Sequence, residues 1–349
     1  MNRLWWVIIL CVMTGALGCG IGSGTPDRRL NGAGSTFVYP LMLKWSAEYE
    51  KTEGGCKVSY EETGSGRGIK AILEKRVDFA CSDAPLTDEQ LAKAREKGGE
   101  LLHIPLVLGA VVPVYNLAEL TEPLRFTGPV LAEIYLGRIT KWNDAALKSL
   151  NPQVANRLPD KDIAVVHRSD GSGTTYIWVD YLSKVSSQWK TKIGAATEVP
   201  WPTGQAAFGN EGVAKQVRQT PGSIGYVELS NVYRFDLQSG LVQNREQEFV
   251  KATLQSVTQA ANYGLVNIPA DLRFSITNAP GKGSYPISGT TWALVRNQQP
   301  RSKRHELQDF LSWAIDVGQE HVDQLFYVKL PESLLNRARD KLKEIQMSD

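Results

Sequence analysis

A chain of 349 residues, 42% hydrophobic and 22% charged, has the composition of a folded globular protein and the length for one large or two medium domains. Its 39 basic and 37 acidic residues leave a formal net charge of +2, which excludes the broad basic footprint of a nucleic-acid binder, so any anion recognition must be local. Four histidines and four cysteines show no close metal-ligand spacing, so no zinc site, other metal or cofactor is expected.

The first residues stand apart. Arg3 precedes an apolar run from Leu4 to Met13, then the small residues Thr14-Gly15-Ala16-Leu17-Gly18. This is the layout of a secretory signal peptide over 1–18, too short to span a bilayer comfortably. Ala16-Leu17-Gly18-Cys19 fits a loose lipoprotein signal with Cys19 lipidated, and it also fits ordinary cleavage after Gly18. The glycine-rich stretch that follows suits a flexible tether over 19–30 and favours the lipidated form. Export would permit a disulfide between Cys56 and Cys81. Yet Cys56 opens one strand-like run and Cys81 closes another, which places them at opposite ends of parallel strands. Two buried free thiols are therefore expected.

Short apolar runs then alternate with amphipathic helices, the pattern of βαβ architecture. Leu30–Gly34 reads as a strand leading into a helix over 36–51, with Val38, Leu41, Met42, Trp45 and Tyr49 on one face. Lys57–Glu61 is a second strand, after which Gly64-Ser65-Gly66-Arg67-Gly68 opens a short helix. Val77–Cys81 is a third strand, and a charged helix follows over 87–97. Ile104–Asn116 and Ile287–Arg296 are long, apolar and extended, as expected of two strands joining two lobes. Between them Ile163–His167 is a strand and Gly173–Val185 a helix with Trp178, Tyr181, Leu182 and Val185 inward. A helix carrying Leu307, Phe310, Leu311 and Ala314 then rejoins the first lobe. The division expected is 31–108 with 287–349 as lobe I, and 109–286 as lobe II.

Three strand-to-helix turns repeat one chemistry: Gly32-Ala33-Gly34-Ser35-Thr36-Phe37, Gly64-Ser65-Gly66-Arg67-Gly68 and Asp170-Gly171-Ser172-Gly173-Thr174-Thr175. A helix N-terminus presents free backbone N–H groups and a partial positive charge, glycine lets a ligand approach, and hydroxyls add donors. One such turn alone is no more than an N-cap and a tight connection. Three together, with Arg168 beside the third, point to a desolvated tetrahedral anion held by a guanidinium fork. Taken alone, Arg168 reads equally as a surface salt bridge. No nucleophile elbow surrounds Ser35, Ser65 or Ser172, and Gly281-Lys282-Gly283 is not a phosphate-binding loop. His167 sits five residues before Ser172 within an apolar strand, where a packed ring is expected rather than a catalytic base.

The first and third turns, with Val77-Asp78-Phe79-Ala80-Cys81-Ser82-Asp83-Ala84-Pro85, Arg168-Ser169-Asp170, Ile134–Asp144 and Pro221–Glu228, resemble the phosphate-binding subunit of ABC-type phosphate importers. The resemblance runs in order from about Asn31 nearly to the C-terminus. It implies an α/β fold of the two-lobed periplasmic-binding-protein kind (type II, Venus-flytrap), with two αβ domains joined by a two-stranded hinge. It also implies that Thr36, Phe37, Ser65, Ser172, Gly173 and Thr174 donate to phosphate and that Arg168 is the charged donor, oriented by Asp170. Asp83 would be the single carboxylate facing the ligand. A carboxylate accepts a bond from protonated phosphate and repels sulfate, so selectivity is expected there; its bland role is a helix N-cap or a turn with Pro85. Arg67, Cys81 and His167 depart from the usual family pattern, with Arg67 expected to point to solvent. Trp142 is expected to be packing.

The partners implied are inorganic phosphate and transmembrane permease subunits, with no nucleic acid and a monomeric chain. The location implied is exported and periplasmic. The alternatives are a binder of arsenate, sulfate or molybdate, or a phosphoesterase, for which neither a metal cluster nor an activated nucleophile is found.

Overall fold

The computed structural model describes residues 28–348, so the expected leader over 1–18 and Cys19 lie outside the described residues. The first elements are β1 (Arg29–Gly34), α1 (Tyr39–Tyr49), β2 (Lys57–Glu61), α2 (Ser65–Leu73), β3 (Phe79–Ser82) and α3 (Asp88–Glu96). β1 begins inside the stretch expected to be tether. Arg29 and Leu30 pair with Lys57 and Val58, and the fully buried Leu30 holds the chain there through the apolar surface it removes from water. α1 starts three residues later than its sequence pattern suggests because Pro40 occupies its first turn, where a fixed φ and a missing N–H are tolerated. Thr36, Phe37 and Val38 become a lead-in segment between β1 and the helix.

β4 (Leu101–Tyr115) follows, buried along its whole length. Farther along the chain come β5 (Ala164–Arg168), α4 (Gly173–Val185), β6 (Gln205–Ala207), α5 (Gly209–Gln219), β7 (Ser223–Glu228), α6 (Leu229–Arg234), β8 (Ser288–Arg296) and α7 (Arg301–Ile315). In α4 the inward face is Trp178, Tyr181 and Leu182, while Val185 is only half-buried. In α7 the buried residues include Leu307, Phe310, Leu311 and Ala314. Phe310 rests against Tyr49 and Phe79, with ring centroids 5.2 and 5.8 Å away, so the late helix returns to the half built from the first strands.

One sheet path links both halves in the order β2-β1-β3-β8-β4-β7-β5-β6. β1 pairs in parallel with β2 and β3, and β5 in parallel with β6 and β7, each parallel neighbour being reached through a crossover. The two long apolar strands are hydrogen-bonded neighbours: β4 runs antiparallel to β8 as far as Ala110, then changes partner and runs antiparallel to β7 from Val111. A buried strand shared by two sheets leaves the helices of each half free to face one another. The register also separates the thiols. Gly34 lies opposite Cys81, whereas Cys56 precedes the Arg29–Lys57 pair at the other end of β1. Both cysteines are free and buried.

Candidate functional site

Parallel strands send their C-terminal ends, and the N-termini of the helices that follow, to the same side of a sheet; ligands of open α/β folds bind there. In the second half that edge carries Arg168, the last residue of β5. Its Nε and Nη2 donate to the two carboxylate oxygens of Asp170 at 2.8 and 2.5 Å. Both side chains are almost wholly buried, with 1% and 2% of their surface exposed. Asp170 Oδ1 also accepts from the backbone N–H of Gly209, at the start of α5, at 3.1 Å. The remaining guanidinium nitrogen, Nη1, is buried without a hydrogen-bond partner. A buried charged donor left in that state is costly, so Nη1 is a donor prepared for an acceptor.

Beside it, Ser172 caps α4 by accepting from Thr175 N–H at 3.0 Å. That leaves the Ser172 hydroxyl proton free to donate elsewhere. Gly173 and Thr174 form the first turn of the helix and are buried. The base of the site is aromatic: Tyr226 bonds Thr175 Oγ1 at 2.6 Å and stacks on Trp178 at 5.0 Å. His167 is packed, its ring stacked on Trp201 at 4.9 Å and its Nδ1 near Arg168 O at 3.0 Å. Trp142 is likewise buried packing, its indole donating to Gly222 O.

The first half contributes Asp83, 1% exposed, just beyond β3. Ser35 Oγ donates to both of its oxygens at 2.7 Å, and Thr291 Oγ1 donates to Oδ1 at 2.7 Å. Thr291 reaches it from β8, one step beyond the antiparallel Trp292–Ser82 pair of β8 and β3. Burial pushes the Asp83 carboxyl up to about 6, opposed by the Ser35 and Thr291 hydrogen bonds and by the charge of Arg168. Asp83 N–H reaches Ser65 Oγ, at the start of α2, at 3.5 Å. Phe37 N–H, expected to face an anion, donates instead to Ser35 Oγ at 3.0 Å, and the Phe37 ring is buried in the core.

The two halves touch here. Gly66 N–H donates to Gly171 O at 2.7 Å. Gly64 has φ of +85°, and a Cβ there would lie 2.3 Å from Asp170 Oδ2, so conformation and space both require glycine. Asn210, in the first turn of α5, donates from Nδ2 to Thr36 Oγ1 at 2.9 Å and to Thr174 Oγ1 at 3.0 Å. Thr36, Ser65, Asp83, Arg168, Asp170, Ser172, Gly173 and Thr174 thus share one buried seam. Arg67 is exposed at its rim, 5.6 Å from the Phe208 ring.

Sequence reasoning missed Ser35, Thr291 and Asn210. A signal existed for Asn210, because Phe208-Gly209-Asn210-Glu211-Gly212 is a fourth glycine turn at a helix start, lacking only the hydroxyl residues of the other three. It also missed Glu228, a fully buried acid that caps α6 and accepts from Ser230 N–H at 2.8 Å. Burial pushes the Glu228 carboxyl up to about 8. Among the described residues no group of His, Cys, Asp and Glu side chains is arranged to hold a metal ion.

A model of the PBP superfamily domain matches residues 22–317. The phosphate-binding protein PstS of Xylella fastidiosa (strain Temecula1) is 43% identical over 316 residues, covering 90% of this chain and 84% of that protein. A phosphate-binding protein from Stenotrophomonas maltophilia superposes with a TM-score of 0.65 at 20% identity, over 89% of this chain and 93% of that one. An ABC-type phosphate transport receptor from Vibrio cholerae superposes with a TM-score of 0.55 at 18% identity, over 86% and 100%. With most of its length matched and its two halves built on one shared strand pair, the chain belongs to the PBP superfamily, in the family of the PstS proteins.

Proposed function

We propose that this protein is exported, captures one inorganic phosphate between its two lobes and delivers it to the transmembrane subunits of an ABC-type importer, without chemical turnover. The observation that carries the reading is the buried, unpartnered Nη1 of Arg168, held by Asp170 in a seam of hydroxyls and helix N-termini that also includes the Asp83 carboxylate. Arg168 supplies the charged donor, with Ser65, Ser172, Thr36 and Thr174 hydroxyls and the backbone N–H of Gly173 around it. Asp83 accepts the proton that phosphate carries near neutral pH. Sulfate brings no such proton and meets only lone-pair repulsion.

Lobe I (31–108 with 287–349) and lobe II (109–286) open and close by flexing the paired strands β4 and β8, and the closed monomer is what the permease recognises. Export through a leader over 1–18, with Cys19 as a lipid anchor, keeps the protein beside that permease. Calorimetric titration of the mature chain with phosphate and with sulfate, repeated on Asp83→Ala, tests the reading. Tight phosphate binding, no sulfate binding and lost discrimination in the variant are expected. A folded wild type that ignores phosphate, or takes both anions alike, overturns it.

A further inference from the structure

We propose that Asn210 is a positioning residue that orients two site hydroxyls as hydrogen-bond donors and does so fully only when the lobes close. The proposal rests on the phosphate-binding reading above and adds to it the device that gives the hydroxyls their sense.

Asn210 is 1% exposed. Its Oδ1 accepts from the backbone N–H of Glu228 at 3.0 Å, a group that can only donate. That contact settles which end of the amide is oxygen, so Nδ2 must point the other way. There it donates to Thr36 Oγ1 at 2.9 Å and to Thr174 Oγ1 at 3.0 Å. The Asn210 backbone N–H adds a second bond to Thr36 Oγ1 at 3.3 Å.

A threonine hydroxyl has two lone pairs and one proton. With two N–H groups on its oxygen, Thr36 has no accepting capacity left, and its proton must go to another acceptor. Thr174 holds one N–H and likewise keeps its proton to give. Both hydroxyls are therefore turned into donors, the sense an oxyanion requires. A hydroxyl free to rotate could instead accept, and would have to reorganise on binding.

The network also reports closure. Asn210, Thr174 and Glu228 all stand on the α4–α5–β7 side, so their contacts persist within one half. Thr36 stands on the β1–α1 side, 174 residues away in sequence, and meets Asn210 only where the halves touch. Bringing them together fills the Thr36 lone pairs and commits its proton to the enclosed anion, so the loss of Asn210 falls mainly on the rate of release.

The test uses the mature full-length chain and inorganic phosphate, with affinity from calorimetry and release from stopped-flow. The variants are Asn210→Asp, Asn210→Ala, Thr36→Val and the Asn210→Ala/Thr36→Val double, each checked for folding by its ligand-free thermal midpoint. Asn210→Asp keeps the shape and the Glu228 contact but offers acceptors to the two threonines, whose protons then turn away from the anion. Each single change is expected to weaken phosphate binding about 10- to 100-fold, mostly through faster release. Because only the Thr36 arm is shared, the double variant is expected to lose clearly less than the product of the two single losses. Wild-type affinity in folded Asn210→Asp, or losses that multiply independently in the double variant, overturns the proposal. Should Asn210→Asp not fold, the Asn210→Ala and Thr36→Val cycle decides by the same criteria. Failure of the wild type itself to bind phosphate would strike the functional reading instead, which separates the two.

Discussion

Gly173 and Asp83 face each other across the two halves so closely that a Cβ on Gly173 would lie 2.6 Å from a carboxylate oxygen of Asp83 and 2.5 Å from its backbone nitrogen. No real Cβ sits that near another heavy atom, so alanine at this position has to hold the halves apart. Gly173→Ala is expected to weaken phosphate binding about 100-fold or more by titration calorimetry, since a misplacement of about 1 Å costs on that order. The thermal midpoint of the ligand-free variant checks that it still folds. Unchanged affinity would show that the contact is not part of the bound state.

Arg168 uses Nε and Nη2 on Asp170 and keeps Nη1 wholly unpartnered for a ligand. Lysine has one ammonium on a flexible stem and can serve the carboxylate or the anion, but not both in fork geometry. Arg168→Lys is expected to lose about 2–5 kcal/mol of phosphate binding, the range for cutting one partner from a buried charge-assisted contact. A loss of under tenfold would place the main anion contact elsewhere.

Asp83 links selectivity to pH. Its carboxyl sits at about 6 in the folded chain against an ordinary 3.8, because burial opposes its charge. Above about pH 6 it is ionised and rejects sulfate; as pH falls through 6 it gains a proton, becomes a donor, and sulfate binding is expected to appear. The same shift fixes a stability trend. Between 3.8 and 6 the native chain holds a proton that the unfolded chain has released, so this group's contribution declines as pH rises through that window. Asp83→Asn removes the buried charge, and at pH 7 it should melt a few degrees above the ligand-free wild type while losing discrimination. Sulfate binding by the wild type that stays absent down to pH 5 would count against this role for Asp83.

Glu228 extends the argument to an acid no ligand needs to touch. Its carboxyl is raised from 4.5 to about 8, with burial the largest cause, and its partners include the Ser230 hydroxyl and, at 3.5 Å, the hydroxyl of Tyr327. Tyr327 donates to Phe37 O at 2.6 Å, so a protonated Glu228 can donate to the tyrosine oxygen in turn. The unfolded chain loses this proton near 4.5 and the native chain near 8, so stability falls as pH climbs between those values and levels off above them. Glu228→Gln should track the wild type near pH 4.5 and melt progressively higher than it toward pH 8, in the absence of phosphate. Parallel melting curves across that range would mean that Glu228 is charged in the native state.

The periodicity of short segments located part of the fold and left 205–234, with two strands and two helices, unassigned. Lys57–Glu61 and Gly173–Val185 fall where alternation and helical spacing place them. α1 starts late because a proline overrode the apolar stripe, and β1 starts early because Leu30 had a core to enter. Among the candidate site residues, Ser65, Arg168, Asp170, Ser172, Gly173 and Thr174 could be singled out because a glycine turn at a helix start carries its chemistry within a few consecutive residues. Ser35 was visible in its turn but not as the partner of Asp83, which lies 48 residues further on.

Local sequence sets which runs are extended, where helix N-termini arise and which turns can admit an anion, because each depends on neighbours within one or two turns of chain. Tertiary structure alone decided what those pieces face. Thr291 reaches Asp83 from 208 residues away through the pairing of β8 with β3, and Asn210 reaches Thr36 only because β4, shared between β8 and β7, joins the two halves. The protonation of Asp83 and Glu228 belongs to the same level. A carboxylate's charge is set by how much water the whole fold removes from it, and no stretch of residues around either acid encodes that.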